Sequence, residues 1–150
     1  DGAAKGNPGP GGYGIVMKFG AGRKEFNKGF RKTTNNRMEL LAIITALEKV
    51  KKPFPVHIYS DSKYVIDAIV NGWVFNWAKK SFKGKKNQDL WERYLKIHPK
   101  FDIKYHWVKG HAGNIENERC DELAVNAAEG NSISEEGLAV DKGYESGLFN

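Results

Sequence analysis

Apolar and polar positions follow two periods along the chain, and these divide it into strands and helices. Tyr13 to Phe19 (YGIVMKF) and Lys24 to Phe30 (KEFNKGF) carry the β-branched and aromatic mix of strands, with Gly20-Ala21-Gly22 between them as a hairpin turn. From Met38 to Val50 the apolar residues fall at 40, 43, 44, 47 and 50, which is one face of a helix. Pro53 and Pro55 stop it. Val56 to Ser60 (VHIYS) predicts a short strand. Ser62 is placed to cap a second helix that buries Val65, Ile66, Ile69 and Val70. Leu90 to Ile97 predicts another helix, ended at Pro99. Phe101 to Trp107 alternates strictly, with Phe101, Ile103, Tyr105 and Trp107 set against Asp102, Lys104 and His106: a half-buried strand. Asn114 to Ala128 predicts a last helix with Cys120, Leu123, Ala124 and Ala127 inward.

Two stretches break these patterns. Gly and Pro crowd residues 6–14 (GNPGPGGYG), which predicts a loop or tight turns. Between Trp73 and Trp91, aromatics alternate with lysines, and Lys79 to Lys86 (KKSFKGKK) holds five lysines in eight residues. The element order is strand, strand, helix, strand, three helices, strand, helix. A hairpin followed by βα units predicts an α/β domain: a mixed sheet with helices on its faces.

Composition narrows the setting. The length of 150 residues fits one domain, and 40% hydrophobic with 28% charged residues is ordinary for a globular protein. No apolar run has the length of a membrane-spanning helix, and the opening residues do not read as a signal peptide. A single cysteine excludes an internal disulfide and a cysteine-based zinc site, and the expected setting is the reducing cytoplasm. Charge is uneven: residues 129–150 hold five acids and one base (−4), while residues 1–128 hold 23 bases and 13 acids (+10). So basic a domain suggests a polyanionic partner such as nucleic acid, although solubility alone would also explain it. The acidic, Gly- and Ser-containing segment 129–150 is expected to be an appended tail.

Candidate chemistry lies at four acids. Asp1 precedes the glycine-rich stretch, Glu39 sits in the first turn of the predicted 38–50 helix, Asp61 ends a strand, and Asp121 lies in the last helix. Ligands of open α/β sheets bind beyond the strand carboxyl ends, where such acids can converge. Carboxylates gathered there repel unless a cation separates them, and hard oxygens suit Mg²⁺ or Mn²⁺. Any one of these acids could equally be surface solvation. His111, between Gly110 and Ala112 in a polar loop, is placed to move a proton, or is simply an exposed loop histidine. Thr33, Thr34, Asn35 and Asn36 offer either phosphate-binding groups or helix capping. The lysines of 79–86 suit a phosphate backbone or a solvated face, with Trp73, Trp77 and Trp91 packing as core. Cys120 reads as a small buried hydrophobe.

Taken together, five segments resemble type 1 ribonuclease H of the free-standing cellular kind. They are Asp1-Gly2-Ala3 with Gly6-Asn7-Pro8-Gly9-Pro10-Gly11-Gly12-Tyr13-Gly14; Thr33-Thr34-Asn35-Asn36-Arg37-Met38-Glu39-Leu40; Tyr59-Ser60-Asp61-Ser62-Lys63-Tyr64-Val65; Trp107-Val108-Lys109-Gly110-His111-Ala112-Gly113; and Glu116-Asn117-Glu118-Arg119-Cys120-Asp121-Glu122-Leu123-Ala124. Five motifs in order over residues 1–128 far exceed any lone motif. The resemblance implies a ribonuclease H-like fold, with a five-stranded mixed sheet flanked by helices. It implies an endoribonuclease that cuts the RNA strand of RNA–DNA hybrids and leaves 5′-phosphate and 3′-hydroxyl ends. Asp1, Glu39, Asp61 and Asp121 would bind two Mg²⁺ ions, with Mn²⁺ as substitute, and His111 would assist catalysis or product release. Asn7, Thr34, Asn35 and Lys63 would contact the hybrid backbone. Trp73, Trp77, Lys79, Lys80, Lys83, Lys85 and Lys86 resemble the family's basic protrusion on the DNA-strand side.

The chain departs from the family pattern in three places. The family has a strand leading into its first acid, whereas this chain opens on that acid, so upstream residues are expected to be missing. The basic protrusion is shorter than in the fullest members, and Lys63 stands where many relatives carry Gln. Residues 129–150 lie outside the resemblance. Three rivals remain at this level: the ribonuclease H domain of a reverse transcriptase, a hybrid-binding module without catalysis, and a metal-dependent DNA nuclease, transposase or integrase. The expected assembly state is a monomer.

Overall fold

The structure is a computed structural model that describes residues 1–133 and 137–150. Among the described residues, five strands and six helices form in the order β1 (Gly2–Ala4), β2 (Gly9–Phe19), β3 (Gly22–Thr33), α1 (Asn35–Lys49), β4 (Val56–Ser60), α2 (Lys63–Val70), α3 (Trp73–Lys79), α4 (Gln88–Ile97), β5 (Ile103–Trp107), α5 (Ile115–Ala128) and α6 (Lys142–Glu145). A single 3₁₀ turn, His98–Lys100, follows α4 around Pro99.

The five strands and flanking helices match the expectation, and hydrogen bonding divides the strands into two sheets. β1, β2 and β3 form an antiparallel sheet in that order, and β4 pairs with β5 in parallel. β1 is three residues long and pairs with β2, with Gly2 opposite Tyr13, so no described strand pairing joins it to β4.

The 6–14 stretch keeps its expected turn at residues 6–8, where Gly6 has φ 74°, and is corrected from Gly9 onward. β2 starts at Gly9, four residues before the predicted strand. Glycine at 12 and 14 reflects close approach rather than a turn. A Cβ on Gly12 would stand 2.8 Å from the Ala127 Cβ, and one on Gly14 would stand 2.7 Å from the Leu123 Cβ. Tyr13 and Ile15 point the other way, into the main core with Leu40, Ile44 and Leu47 of α1. Helices therefore cover both faces of the three-stranded sheet: α5 lies on the glycine face and α1 on the apolar face.

The remaining differences are local. α1 begins at Asn35 because Thr34 caps it, its hydroxyl accepting from the Arg37 N–H, so Glu39 falls in the second turn. Ser62 caps α2 as expected, accepting from the Val65 N–H. Val65, Ile66 and Ile69 are buried, but Val70 is 60% exposed because it ends the helix beyond the packed turn. Trp91 is fully buried and Trp77 packs edge-on against it, but Trp73 opens α3 with half its surface in solvent. Lys83, Lys85 and Lys86 follow α3 in a turn rather than on a helix face. The last predicted strand starts two residues late, at Ile103, after the 3₁₀ turn. Cys120 is half-buried, and burial pushes its thiol up, as an unreactive cysteine requires.

The acidic tail packs onto the domain over its described part; residues 134–136 lie outside the described residues. Ala139 bridges Phe30 of β3, Glu145 of α6 pairs with Arg31, and the Asn87 N–H donates to the Phe149 carbonyl. No described helix is long and apolar enough to cross a membrane.

Candidate active site

Three carboxylates from three distant parts of the chain meet in one open cleft. Asp1, Glu39 and Asp61 each offer an oxygen within 4.8 Å of the other two. Asp121 and His111 line the same cleft, with Asn35, Asn36, Lys63 and Tyr64. Asp1 stands just ahead of β1, Glu39 projects from α1, Asp61 lies between β4 and α2, and Asp121 projects from α5.

Each acid has a distinct support. Glu39 is 8% exposed; its Oε1 accepts from the Gly2 N–H, and its buried Oε2 has no partner. Burial is the main force raising the Glu39 carboxyl to about 7, and the Asp61 charge adds to it. Asp61 is held through its backbone, since its carbonyl accepts from the Trp107 indole N–H at 3.1 Å. Asn117 of α5 donates weakly to Asp61 Oδ2 at 3.4 Å. His111 adopts a left-handed backbone (φ 54°) on an exposed loop, a conformation that costs energy for a side-chain-bearing residue.

The β3–α1 corner borders the cleft. Asn35 receives the Ala4 N–H on its side chain and donates its own N–H to the Asn7 Oδ1 at 2.9 Å. Thr34 is occupied as the cap of α1. Lys63 lies beside Asp61, its ammonium 4.5 Å from the centre of the Trp107 ring. Trp73, Trp77, Lys79, Lys80, Lys83, Lys85 and Lys86 do not line the cleft; they lie on and after α3, where Lys85 covers the Trp77 ring at 4.9 Å. Sequence reading missed Gly2, Trp107 and Asn117 as supports. Asn117 had a signal, because it stands four residues before Asp121 and so shares its helix face. Trp107 had none, since it looked like one more apolar position of its strand.

This donor set suits a hard divalent cation. Its ligand atoms are carboxylate oxygens, and an unpartnered buried Glu39 oxygen beside two further acids needs positive charge close by. An acidic notch that could hold such a cation, set in a basic domain, is what a metal-dependent enzyme acting on phosphodiesters needs.

Comparison with known proteins makes the class specific. The RNase H family model matches residues 1–129. The chain is 55% identical over 133 residues to the ribonuclease H of Desulforamulus reducens, covering 85% of this chain and 84% of that protein. It is 48% identical over 149 residues to the ribonuclease H of Syntrophus aciditrophicus, covering 96% and 83%. Among solved structures, LC9-RNase H1 superimposes with a TM-score of 0.73 at 28% identity, covering 99% of this chain and 77% of that one. RNase H1 of Halobacterium salinarum gives a TM-score of 0.66 at 27% identity, covering 86% and 93%. The chain belongs to the ribonuclease H family. Its activity is hydrolysis of RNA in RNA–DNA hybrids, and membership implies a divalent metal.

Proposed function

We propose that Asp1, Glu39, Asp61 and Asp121 hold two Mg²⁺ ions, replaceable by Mn²⁺, at the scissile phosphate of the RNA strand. The observation that carries this reading is the convergence of one oxygen each from Asp1, Glu39 and Asp61 within 4.8 Å of one another, together with the unpartnered buried Oε2 of Glu39. Such ions supply Lewis-acid stabilisation of the phosphate and ionise a water at neutral pH. The chain supplies the rest. Gly2 and Trp107 hold Glu39 and Asp61 in place. His111, exposed along the cleft, moves a proton at the departing 3′-oxygen or helps the product leave. In-line attack on phosphorus with departure of the 3′-oxygen leaves 5′-phosphate and 3′-hydroxyl ends.

The hybrid runs from the β3–α1 corner across the cleft. Asn7, Thr34, Asn35 and Lys63 contact its backbone near the cut, where 2′-hydroxyls mark the RNA strand. Trp73, Trp77, Lys79, Lys80, Lys83, Lys85 and Lys86 meet the DNA strand outside the cleft. The chain acts as a catalytic domain over residues 1–128, as a monomer, in the cytoplasm.

Labelled RNA–DNA hybrid, duplex RNA and duplex DNA incubated in parallel with Mg²⁺ or Mn²⁺ test this. Cutting confined to the RNA of the hybrid is expected. Asp61→Asn is expected to lose on the order of a hundredfold or more in turnover, about 2.7 kcal/mol of barrier, while still binding hybrid. Full activity in Asp61→Asn would overturn the metal assignment.

A further inference from the structure

The C-terminal segment, beyond residue 129 where the match to the family model ends, reaches the edge of the active site through one carboxylate. Asp141 is 7% exposed. Its Oδ2 accepts from the Thr33 hydroxyl at 2.7 Å and from Arg37 Nε at 2.8 Å, and its Oδ1 accepts from Arg37 Nη2 at 3.0 Å. Thr33 is the last residue of β3, and Arg37 lies in the first turn of α1. One side chain therefore grips both ends of the three-residue corner Thr34-Asn35-Asn36.

The grip is firmly anchored. Arg37 is 1% exposed and makes a second, bidentate pair with Asp89 of α4, at 2.8 and 2.7 Å. Bidentate charge-assisted bonds of this kind fix geometry as well as adding energy. Asp141 is itself fixed as the cap of α6, where it accepts from the Tyr144 N–H. The backbone of α6 presses on the network: a Cβ on Gly143 would overlap Asp89 and Arg37. The bridge between Ala139 and Phe30 and the Arg31–Glu145 pair hold the same segment against β3.

We propose that Asp141 is a positioning residue for hybrid cleavage: from the C-terminal segment it sets the Thr34–Asn35 corner in the conformation that receives the hybrid backbone. This rests on the hybrid contacts assigned above to Thr34 and Asn35. Glu39 has its own tie to Gly2, so the effect falls on substrate binding more than on the chemical step.

Steady-state cleavage of labelled hybrid by the full chain at 25 °C, with backbone amide NMR of the substrate-free protein, tests the proposal. The variants are Asp141→Asn, Thr33→Val and, as control, Arg31→Ala, which removes the outer ion pair to Glu145 without touching the corner. Asp141→Asn is expected to raise KM roughly three- to tenfold with kcat within about twofold, and to shift the Thr34 and Asn35 amide resonances. Thr33→Val, nearly isosteric, is expected to do the same more weakly, which covers the case that Asp141→Asn folds poorly. Arg31→Ala is expected to leave both readouts alone. Lower melting temperatures with unchanged KM and unchanged corner resonances in both corner variants would overturn the proposal and leave the network purely structural. A wild-type chain that leaves hybrid intact would defeat the functional reading, and with it the claimed role in cleavage.

Discussion

Trp107, the last residue of β5, donates its indole N–H to the backbone carbonyl of Asp61, the residue that follows β4. The carboxylate is thus steadied from behind, through its main chain, and Asn117 makes only a long contact to its Oδ2. Trp107→Phe keeps the ring under Lys63 and removes only the donor. The expected result is a roughly three- to tenfold fall in kcat with hybrid KM little changed, measured by steady-state cleavage.

Glu39 is a cost to the metal-free fold. It is a buried acid with one unpartnered oxygen, beside Asp1 and Asp61. Glu39→Gln keeps an acceptor for the Gly2 N–H and removes the charge. The metal-free variant is expected to be more stable than the parent by about 1–3 kcal/mol, and inactive. Thermal melts in a chelator check the gain. Adding Mg²⁺ should raise the melting temperature of the parent more than that of the variant.

Gly14 faces α5 so closely that any side chain must push the helix away: a Cβ would stand 2.8 Å from the Ala124 backbone nitrogen. Helix backbone cannot yield as a flexible side chain would. Gly14→Ala is expected to cost about 1–3 kcal/mol, read as a lower urea midpoint with unchanged slope. Activity should fall as well, because α5 carries Asp121.

Acid should weaken the attachment of the C-terminal segment. Burial alone would raise the Asp141 carboxyl, but hydrogen bonds from Arg37 and Thr33 outweigh it and hold the group below its ordinary 3.8. A carboxyl whose folded-state value is depressed contributes its full stability above its unfolded value. That contribution drains away as pH falls through the folded value. Urea midpoints of the parent should therefore drop below about pH 4, and those of Asp141→Asn should drop less steeply. The half-buried Glu25, held at about 2 by Arg119 and Arg23, titrates in the same direction in both proteins and cancels from the comparison.

The candidate site was largely legible because its acids sit in recognisable motifs at strand and helix ends. Asp1, Glu39 and Asp61 converge, and Asp121 and His111 share their cleft. What escaped was every feature whose meaning depends on a distant partner. Glycine at 12 and 14 looks like a turn until α5 is known to lie on it. Asp141 looks like a solvating acid in a polar tail until Arg37, 104 residues earlier, is found beside it. The division into two sheets was equally hidden, because it depends on which strands exchange hydrogen bonds across distant parts of the chain.

Asp1, Glu39, Asp61 and Asp121 are dispersed over 121 residues. On the ribosome, at about 5–20 residues per second, the last acid follows the first by roughly 6–24 seconds. Throughout that interval the nascent chain exposes the β3–α1 corner and then the lysine-rich turn without a finished catalytic centre. On the proposed assignment, the fourth acid joins the cleft only when α5 closes over the glycine face of β2. On that assignment, a translation product stalled before α5 would be a basic polypeptide that lacks one of the four acids.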